Sequence, residues 1–401
     1  MDQGRPDVRA ADPLSEAAAP LGDAAWRARR RAERTRAWLV QGALALLLVA
    51  VVVGLAHNVA ANLEARQIKS GFAFLRDPAG FNIGELLFEY TSSDSYLRAF
   101  AVGMANTLRV ALCGIVLASV LGVAVGFMRL SRHPLVLRLG AAYVEVFRNI
   151  PLIIQLLAIY LLVTQLLPES SAALSAGGLA LLSKEGLQVA VPQQGGLALL
   201  WALIAGAAAA VLGLHAARRW LDVGAGLVAL ASGFVAAAIA WVVAGFVLGW
   251  SQPVLDGFLI SGGASLTPEF LSLWLGLSLF TSASIAELVR AGAEAVPARQ
   301  WHAALALGMT RGRAIAGVVF PQALRLAIPP LASQYMNLIK NSSLAVVIGY
   351  PDLVSIGNTS INQNGQALEV IVMVMAVYLS LNLAVAVVMG AVNRRVTRAP
   401  R

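Results

Sequence analysis

The feature of this sequence that most constrains its fold is a series of long segments without charged side chains. They occupy residues 37–57, 195–214, 223–255, 270–286 and 370–392. An apolar run of about 18 residues is long enough to cross a membrane, and a soluble core has no use for several of them. Charged residues make up only 13% of the chain, about half the share in soluble domains. The sequence therefore predicts an all-α polytopic integral membrane protein, and it excludes a soluble enzyme.

The distribution of basic residues predicts the topology. Eight spans are expected, near residues 37–60, 97–127, 140–166, 196–215, 223–250, 270–291, 325–348 and 369–392. An even number of spans places both termini on the same side. With that parity, the segments assigned to the cytoplasm hold 22 of the 30 Lys and Arg residues, which is the bias that cytoplasmic loops show. We expect a multi-pass protein of the cell inner (plasma) membrane with both termini in the cytoplasm.

The chain divides into segments of different character. Residues 1–36 form an Arg-rich cytoplasmic tail, and residues 37–60 form a first span that is too long for the apolar part of a cleaved signal peptide. Residues 61–96 are expected to be a periplasmic segment, either an ordered loop or a short interfacial helix. Residues 168–268 contain two spans with almost no polar side chains, which favours a role in helix packing.

The connection between the sixth and seventh spans, residues 290–325, predicts two short helices. Pro297 suits the first turn of one helix, and Gly308 suits its end. Thr310 can cap a second helix, which Pro321 would limit. Helices of about ten residues are about 15 Å long, half the hydrocarbon thickness of a bilayer, so neither could span it. We expect a rigid cytoplasmic projection that enters a groove on a partner.

The same connection resembles the EAA loop of the permease subunits of bacterial ABC importers. His302-Ala303-Ala304 is followed by Gly308 and then by Val318-Val319-Phe320-Pro321, as in E-A-A, three residues, glycine, nine residues, I-x-L-P. His302 stands where the family has glutamate. Further segments resemble the polar or general L-amino acid branch, the histidine, glutamine and glutamate type: residues 103–108, 145–152, 286–292, 296–301, 321–325 and 338–344. The resemblance covers about residues 97–167 and 270–395.

The resemblance implies a type I ABC importer-like permease domain over residues 97–395, with residues 168–268 inserted and residues 290–325 as the coupling loop. It implies inward transport of L-amino acids, whether polar, acidic or general, by alternating access. The implied partners are an ABC ATPase dimer, a second permease subunit in a heterodimer or a homodimer, and a periplasmic amino acid-binding protein. ATP and Mg would lie on the ATPase, since none of the three lysines follows a glycine as in a P-loop. The chain itself is expected to hold no cofactor or metal, to bind no nucleic acid and to catalyse no reaction.

Two groups of candidate site residues follow. The resemblance assigns ATPase coupling to His302, Ala303, Ala304, Gly308, Arg311 and Arg313. The small residues would allow close approach, and the two arginines either contact acidic groups on the ATPase or only contribute to the positive-inside bias. Candidates for a substrate pathway are Asn106, Arg109, Lys340 and Asn341. Charges within a bilayer usually face a cavity or a partner, so either cation could bind a carboxylate. The alternative is that they serve helix–helix hydrogen bonding, or that the lysine snorkels to the outer interface, and the substrate role is the less frequent of the two.

Charged residues three apart are predicted to form structural ion pairs on helix faces, Glu145 with Arg148 and Glu287 with Arg290. Pro151, and Pro329 with Pro330 in the seventh span, are predicted to kink or break their helices. An ion-coupled secondary amino acid carrier is the alternative function. It would leave the cytoplasmic two-helix loop unexplained, and the spans lack the clear carboxylate pair that such carriers use.

Overall fold

A computed structural model gives the fold of residues 23–65, 70–218, 225–257 and 259–397. The chain divides into two units, Met1–Ser70 and Gly71–Arg401. In the first unit, α1 (Asp23–Ala65) is a single helix of 43 residues. Its segment Ala32–Val59 is long and apolar enough to cross a membrane, as predicted for the first span. Most of the predicted cytoplasmic tail precedes residue 23 and lies outside the described residues.

The second unit is built mainly of helices. In chain order its described helices are α2 (Tyr96–Arg129), α3 (Pro134–Asn149), α4 (Leu152–Leu161), α5 (Gly195–Arg218), α6 (Ala225–Leu248), α7 (Pro268–Glu294), α8 (Ala298–Ala306), α9 (Arg311–Ala314), α10 (Phe320–Asn341), α11 (Leu353–Asn364) and α12 (Ala367–Thr397). Turns of 3₁₀-helix occupy Phe72–Arg76, Ser170–Ala172 and Ser342–Ile348, and π-helical turns occupy Leu162–Leu166 and Ile315–Val319.

The predicted fold class, a helical polytopic membrane protein, is confirmed. Within the described residues, 7 helices are long and apolar enough to cross a membrane, or up to 8 if one bent pair counts as a span. That pair is Pro134–Asn149 and Leu152–Leu166, which meet at 102°. The predicted span over residues 140–166 is thus divided between these two helices, and the break that was predicted at Pro151 is present. The side-chain amide of Gln155 satisfies the broken end by donating to the carbonyls of Phe147 and Ile150, at 2.9 and 2.8 Å.

The segment 168–268 contains the two expected helices, α5 and α6, together with short strands that the sequence did not predict. The strands are β1 (Leu174–Ser175), β2 (Ala180–Ser183), β3 (Gly186–Val189), β4 (Val191–Pro192), β5 (Trp250–Ser251), β6 (Val254–Asp256), β7 (Leu259–Ser261) and β8 (Ala264–Leu266). They pair as an antiparallel sheet in the order β1-β2-β3-β8 and as the ribbons β4-β5 and β6-β7. Strands of two to four residues are too short to show an alternating pattern.

The end of the predicted coupling loop differs from the expectation. A second short helix limited by Pro321 is wrong, because the helical backbone continues from α9 through the π-helical turn into α10. The whole segment Gly312–Ile348 is long and apolar enough to span a membrane. Pro321 lies in the first turn of α10, directly after the π-helical turn. Pro329 and Pro330 lie inside α10 without ending it.

The packing of α2 against α7 forms the centre of the second unit. A β-carbon added at Gly122 would lie 2.6 Å from the β-carbon of Ile285, and one added at Gly126 would lie 2.7 Å from that of Val289. The contact positions increase together along both helices, so α2 and α7 run in the same direction. Both helices therefore end where α8 begins, and we call this the coupling end of the bundle.

The segment before α2 packs on the opposite end of the bundle, which we call the distal end. Phe74, Ile83 and Tyr90 are buried, and they share an apolar cluster with Phe100 of α2 and Leu353 of α11. Of the two predicted forms, an ordered loop and a short interfacial helix, the structure shows a packed loop that contains one 3₁₀ turn.

Candidate coupling loop and polar pathway

The end of α8 is set by Gly308, whose backbone adopts the left-handed conformation. The sequence predicts a helix end at this glycine. Gly308 has φ +75°, a conformation that costs other residues energy because their β-carbon approaches the backbone. The amide of Gly308 donates to the carbonyl of Leu305 at 3.0 Å, and the amide of Met309 donates to that of Ala304 at 3.2 Å. These two bonds are the Schellman arrangement that ends many helices. The chain direction after α8 is therefore fixed by backbone geometry.

The base of the loop is anchored to the ends of α7 and α10. Val296, Val319 and Ala323 are buried together, and Trp301 of α8 packs against them. At Gly292 the backbones approach so closely that a β-carbon would lie 2.9 Å from the carbonyl oxygen of Ala323. α8 is therefore packed directly against the ends of both long helices.

The six residues assigned to ATPase coupling do not share one surface. His302, Ala303 and Gly308 are exposed, as is Arg313. Ala304 is only 3% exposed and packs within the chain, so its predicted role as a direct contact is replaced by a role in anchoring α8. The side chain of Arg311 lies outside the described residues.

Two leucines complete the exposed surface of α8 and the turn after it. Leu305 is 48% exposed and Leu307 is 82% exposed. The sequence did not predict that these two leucines are exposed, because leucines in a short helix usually belong to its buried face. Leu305 lies four residues after Trp301, so helical spacing alone would place it on the same face as the inward-facing tryptophan.

At the distal end, Arg109 of α2 is paired with Glu85 of the loop that precedes α2. The side chain of Glu85 is 8% exposed, and its second oxygen accepts a hydrogen bond from the hydroxyl of Thr267 at 2.7 Å. The guanidinium of Arg109 lies 4.1 Å from the ring centroid of Phe270, within the range of a cation–π interaction. The sequence identified the cation but missed its partner.

Asn106 holds a turn in place. Its side chain is fully buried, and its amide donates to the carbonyls of Glu85 and Pro351 at 3.0 and 2.9 Å. Next to it, the hydroxyl of Thr107 accepts a hydrogen bond from the amide of Leu353 at 3.1 Å. These contacts fasten the start of α11 to α2, which agrees with the hydrogen-bonding alternative for Asn106.

Lys340 and Asn341 lie in a different environment. Lys340 is exposed near the end of α10, and Asn341 is half-buried beside it. Among the described residues, no hydrogen bond or ion pair joins either of them to Asn106 or Arg109. The structure therefore does not assemble the four candidates into one site within a single chain.

A polar cavity of about 390 Å³ opens at the distal end. It lies between the loop that precedes α2, the start of α7 and α11, and its lining includes Glu85, Thr267, Glu269, Ser355 and Thr359. A cavity lined by carboxylates and hydroxyls can hold water or a polar solute at this end of the bundle.

Asp352, the residue immediately before α11, is fully buried. Its carboxylate accepts hydrogen bonds from the amide of Ser355 at 2.8 Å and from the hydroxyl of Tyr378 at 3.2 Å. Burial raises the pKa of Asp352 to about 7, because removal from water disfavours the charged form.

At the coupling end, charged residues of three helices meet. Glu287 of α7 is paired with Arg290, with 3.1 Å between Oε1 and Nε, as predicted. It is also paired with Arg129 at the end of α2. Arg148 of α3, which was predicted to pair with Glu145, lies with its Nη1 3.9 Å from Glu287 Oε2. Glu287 therefore forms ion pairs both within α7 and with the two neighbouring helices.

Comparison with known proteins decides the family. Residues 113–398 match the family described as binding-protein-dependent transport system inner membrane component. The chain belongs to this family. It is a multi-pass inner membrane protein and the permease subunit of a binding-protein-dependent ABC importer.

Relatives of this permease cover almost its whole length. The Escherichia coli (strain K12) protein YhdX, whose name describes an amino-acid ABC transporter permease, is 43% identical over 371 residues, which are 90% of this chain and 94% of the relative. The general L-amino acid transport system permease protein AapQ of Rhizobium johnstonii is 40% identical, over 89% and 91% of the two chains. The glutamate/glutamine/aspartate/asparagine transport system permease protein BztB of Rhodobacter capsulatus is 33% identical, over 90% and 94%.

Within this permease the two ends of the bundle differ in character. The coupling end presents a short exposed helix on an anchored base, and the distal end presents a polar cavity whose lining includes the carboxylate of a partly buried ion pair. The comparisons give no support to the ion-coupled carrier.

Proposed function

We propose that this permease moves L-amino acids inward across the membrane by alternating access, driven by ATP. The observation that carries the proposal is its similarity, over about nine-tenths of its length, to permeases named for general L-amino acid transport and for glutamate, glutamine, aspartate and asparagine transport. Polar, acidic and general amino acids are therefore the substrate class to test first.

The partner at the coupling end is an ABC ATPase dimer that holds ATP and Mg. An anchored helix that exposes Leu305, Leu307 and the small residue Ala303 suits a groove on another protein, because apolar side chains that leave water contribute most of the binding energy. Arg313 is exposed beside this surface and is available to an acidic group. The excess of basic residues in the segments that the sequence assigns to the cytoplasm, this loop among them, supports a cytoplasmic location for the loop and for both termini.

A second permease subunit completes the pathway, in a heterodimer or a homodimer. Lys340 supports this arrangement, because it is exposed on a helix that spans the membrane. An intramembrane cation is costly against lipid and normally faces a cavity or another protein. We therefore keep Lys340 and Asn341 as candidate pathway residues between the two subunits, while Arg109 and Asn106 belong to the distal end of a single chain. A periplasmic amino acid-binding protein would deliver the substrate to that end.

Reconstitution tests the proposal directly. The permease is expressed with an ABC ATPase and a periplasmic amino acid-binding protein, both with and without a second permease subunit, and the purified complex is placed in vesicles that contain ATP. Uptake of radiolabelled glutamate, glutamine and arginine is expected only with ATP and the binding protein present. An ATPase whose P-loop lysine is replaced serves as the control. Uptake that ignores ATP and follows an ion gradient would overturn the proposal.

A further inference from the structure

One carboxylate at the coupling end contacts guanidinium groups from three helices. The Oε1 atom of Glu287 accepts from Arg290 on its own helix, and Oε2 is paired with Arg129 of α2 and lies 3.9 Å from Arg148 of α3. Both oxygens are therefore engaged. Within the described residues, Arg129 and Arg148 make their ion pairs with Glu287.

The cluster is partly withdrawn from water. The side chains of Glu287 and Arg129 are 25% and 19% exposed. Exposed ion pairs contribute little because water and salt screen them, whereas partly buried charges interact more strongly. A carboxylate that bridges several helices also fixes their relative positions, which a pair within one helix cannot do.

Close packing near the cluster joins the same three helices to one another. The interface between α2 and α7 leaves no space for a side chain at Gly122 or Gly126. A β-carbon at Gly140 of α3 would lie 3.1 Å from Cγ of Arg129, so the arginine stem is held between α2 and α3. The hydroxyl groups of Tyr143 on α3 and Ser282 on α7 are 2.7 Å apart.

The cluster also lies next to the base of the coupling loop. Glu287 is joined to the end of α7 by about two turns of continuous helix, which ends at Glu294. Two residues beyond Glu294, Val296 is buried in the apolar cluster that anchors α8. Displacement of α8 thus reaches Glu287 within about two helical turns of α7.

We propose that Glu287 is the positioning residue through which movement of the coupling loop is transmitted to α2 and α3. This role for Glu287 rests on the proposed function. It would connect the loop that contacts the ATPase to α2, the helix that carries the distal polar residues Asn106 and Arg109. A helix interface that is closely packed and joined by ion pairs passes the displacement of one helix on to the next. A loosely packed interface deforms instead.

The test uses the reconstituted complex and four variants: Glu287→Gln, Arg129→Gln, the two combined, and Glu294→Gln as the matched control. Glu294 is 57% exposed and is also paired with Arg290, so its replacement removes the same charge two turns away without touching α2 or α3. Amino acid uptake per ATP hydrolysed and the stimulation of ATP hydrolysis by the binding protein are measured. Thermal unfolding in detergent is followed alongside.

We expect Glu287→Gln and Arg129→Gln each to lower uptake per ATP about tenfold, a usual size for coupling between sites. ATP hydrolysis should continue with reduced dependence on the binding protein, and Glu294→Gln should resemble the wild type. The double variant should be no worse than either single one, since both remove the same link. Arg129→Gln leaves Glu287 with Arg290 and Arg148, so it decides the matter even if Glu287→Gln fails to fold.

Normal coupling in Arg129→Gln, or losses that add in the double variant, would overturn the proposal. A wild-type complex that shows no ATP-driven uptake would instead refute the proposed function.

Discussion

Gly126 of α2 and Val289 of α7 lie so close that a β-carbon at position 126 would be 2.7 Å from the β-carbon of the valine. Gly126→Ala should therefore push the two helices apart and destabilise the protein by about 1–3 kcal/mol, as overpacking does in other cores. Thermal unfolding in detergent measures this loss. Gly390→Ala in α12 is the control, because a β-carbon there meets only the flexible end of Arg394 at 3.7 Å. Equal unfolding temperatures for the two variants would contradict the close packing of α2 and α7.

The left-handed backbone of Gly308 gives a second prediction. Nothing lies within 4 Å of a β-carbon at this position, so only the backbone angle of +75° restricts substitution. Asparagine adopts this conformation far more readily than a β-branched residue. Gly308→Asn should keep ATP-driven uptake near the wild-type rate, and Gly308→Val should lower it severalfold because the direction of the chain after α8 changes. Similar uptake by both variants would show that the conformation of residue 308 is not required.

Much of the fold follows from local sequence features. Apolar length predicts the membrane helices, Pro151 predicts the break between α3 and α4, and Gly308 predicts the end of α8. The continuation of the helix through Pro321 was missed because proline usually signals an end. Here, however, the π-helical turn that precedes Pro321 joins α9 to α10, so the backbone stays helical although proline donates no hydrogen bond.

The candidate sites were predicted less completely because they depend on tertiary contacts. Arg109 is conspicuous in an apolar span, but its partner Glu85 lies 24 residues away in a segment with no regular pattern. Similarly, the small size of Ala304 suits both an exposed contact and a buried anchor. Only the packing of Val296 and Trp301 around the start of α10 decides which face of α8 points inward.

The ion pair of Arg109 with Glu85 predicts strong coupling between two substitutions. Arg109→Gln leaves a buried carboxylate without its cation, a change that typically costs about 3–5 kcal/mol. Glu85→Gln in the same chain removes the stranded charge, so the double variant should recover much of the lost stability. Thermal unfolding of the single and double variants measures the interaction. Additive losses would mean that the two side chains act independently.

The raised pKa of Asp352 predicts a dependence of stability on pH. Burial raises this pKa from 3.8 in the unfolded chain to about 7 in the folded protein. The folded state thus binds the proton of Asp352 more tightly than the unfolded chain does. The contribution of this proton to the free energy of unfolding is complete below about pH 4 and is lost as the pH rises through 7. Asp352→Asn keeps an acceptor for the amide of Ser355 without titrating, so its stability should lack this decline. The test compares the unfolding temperatures of the wild type and Asp352→Asn between about pH 5 and pH 8.5. Parallel curves would exclude Asp352 as the titrating group.

The exposed leucine after α8 predicts how the permease holds its ATPase. Leu307 is 82% exposed, and burial of a leucine side chain is worth about 1.5–3 kcal/mol. Leu307→Asp should therefore weaken the association with the ATPase at least about tenfold, since 1.4 kcal/mol corresponds to a factor of ten. Thr310→Asp adds the same charge to an exposed position on the far side of Gly308, and it should leave the complex intact if the leucine itself is the contact. Copurification with a tagged ATPase over a dilution series gives both affinities. Equal loss in the two variants would assign the effect to charge, and no loss in either would place the ATPase contact elsewhere on the loop.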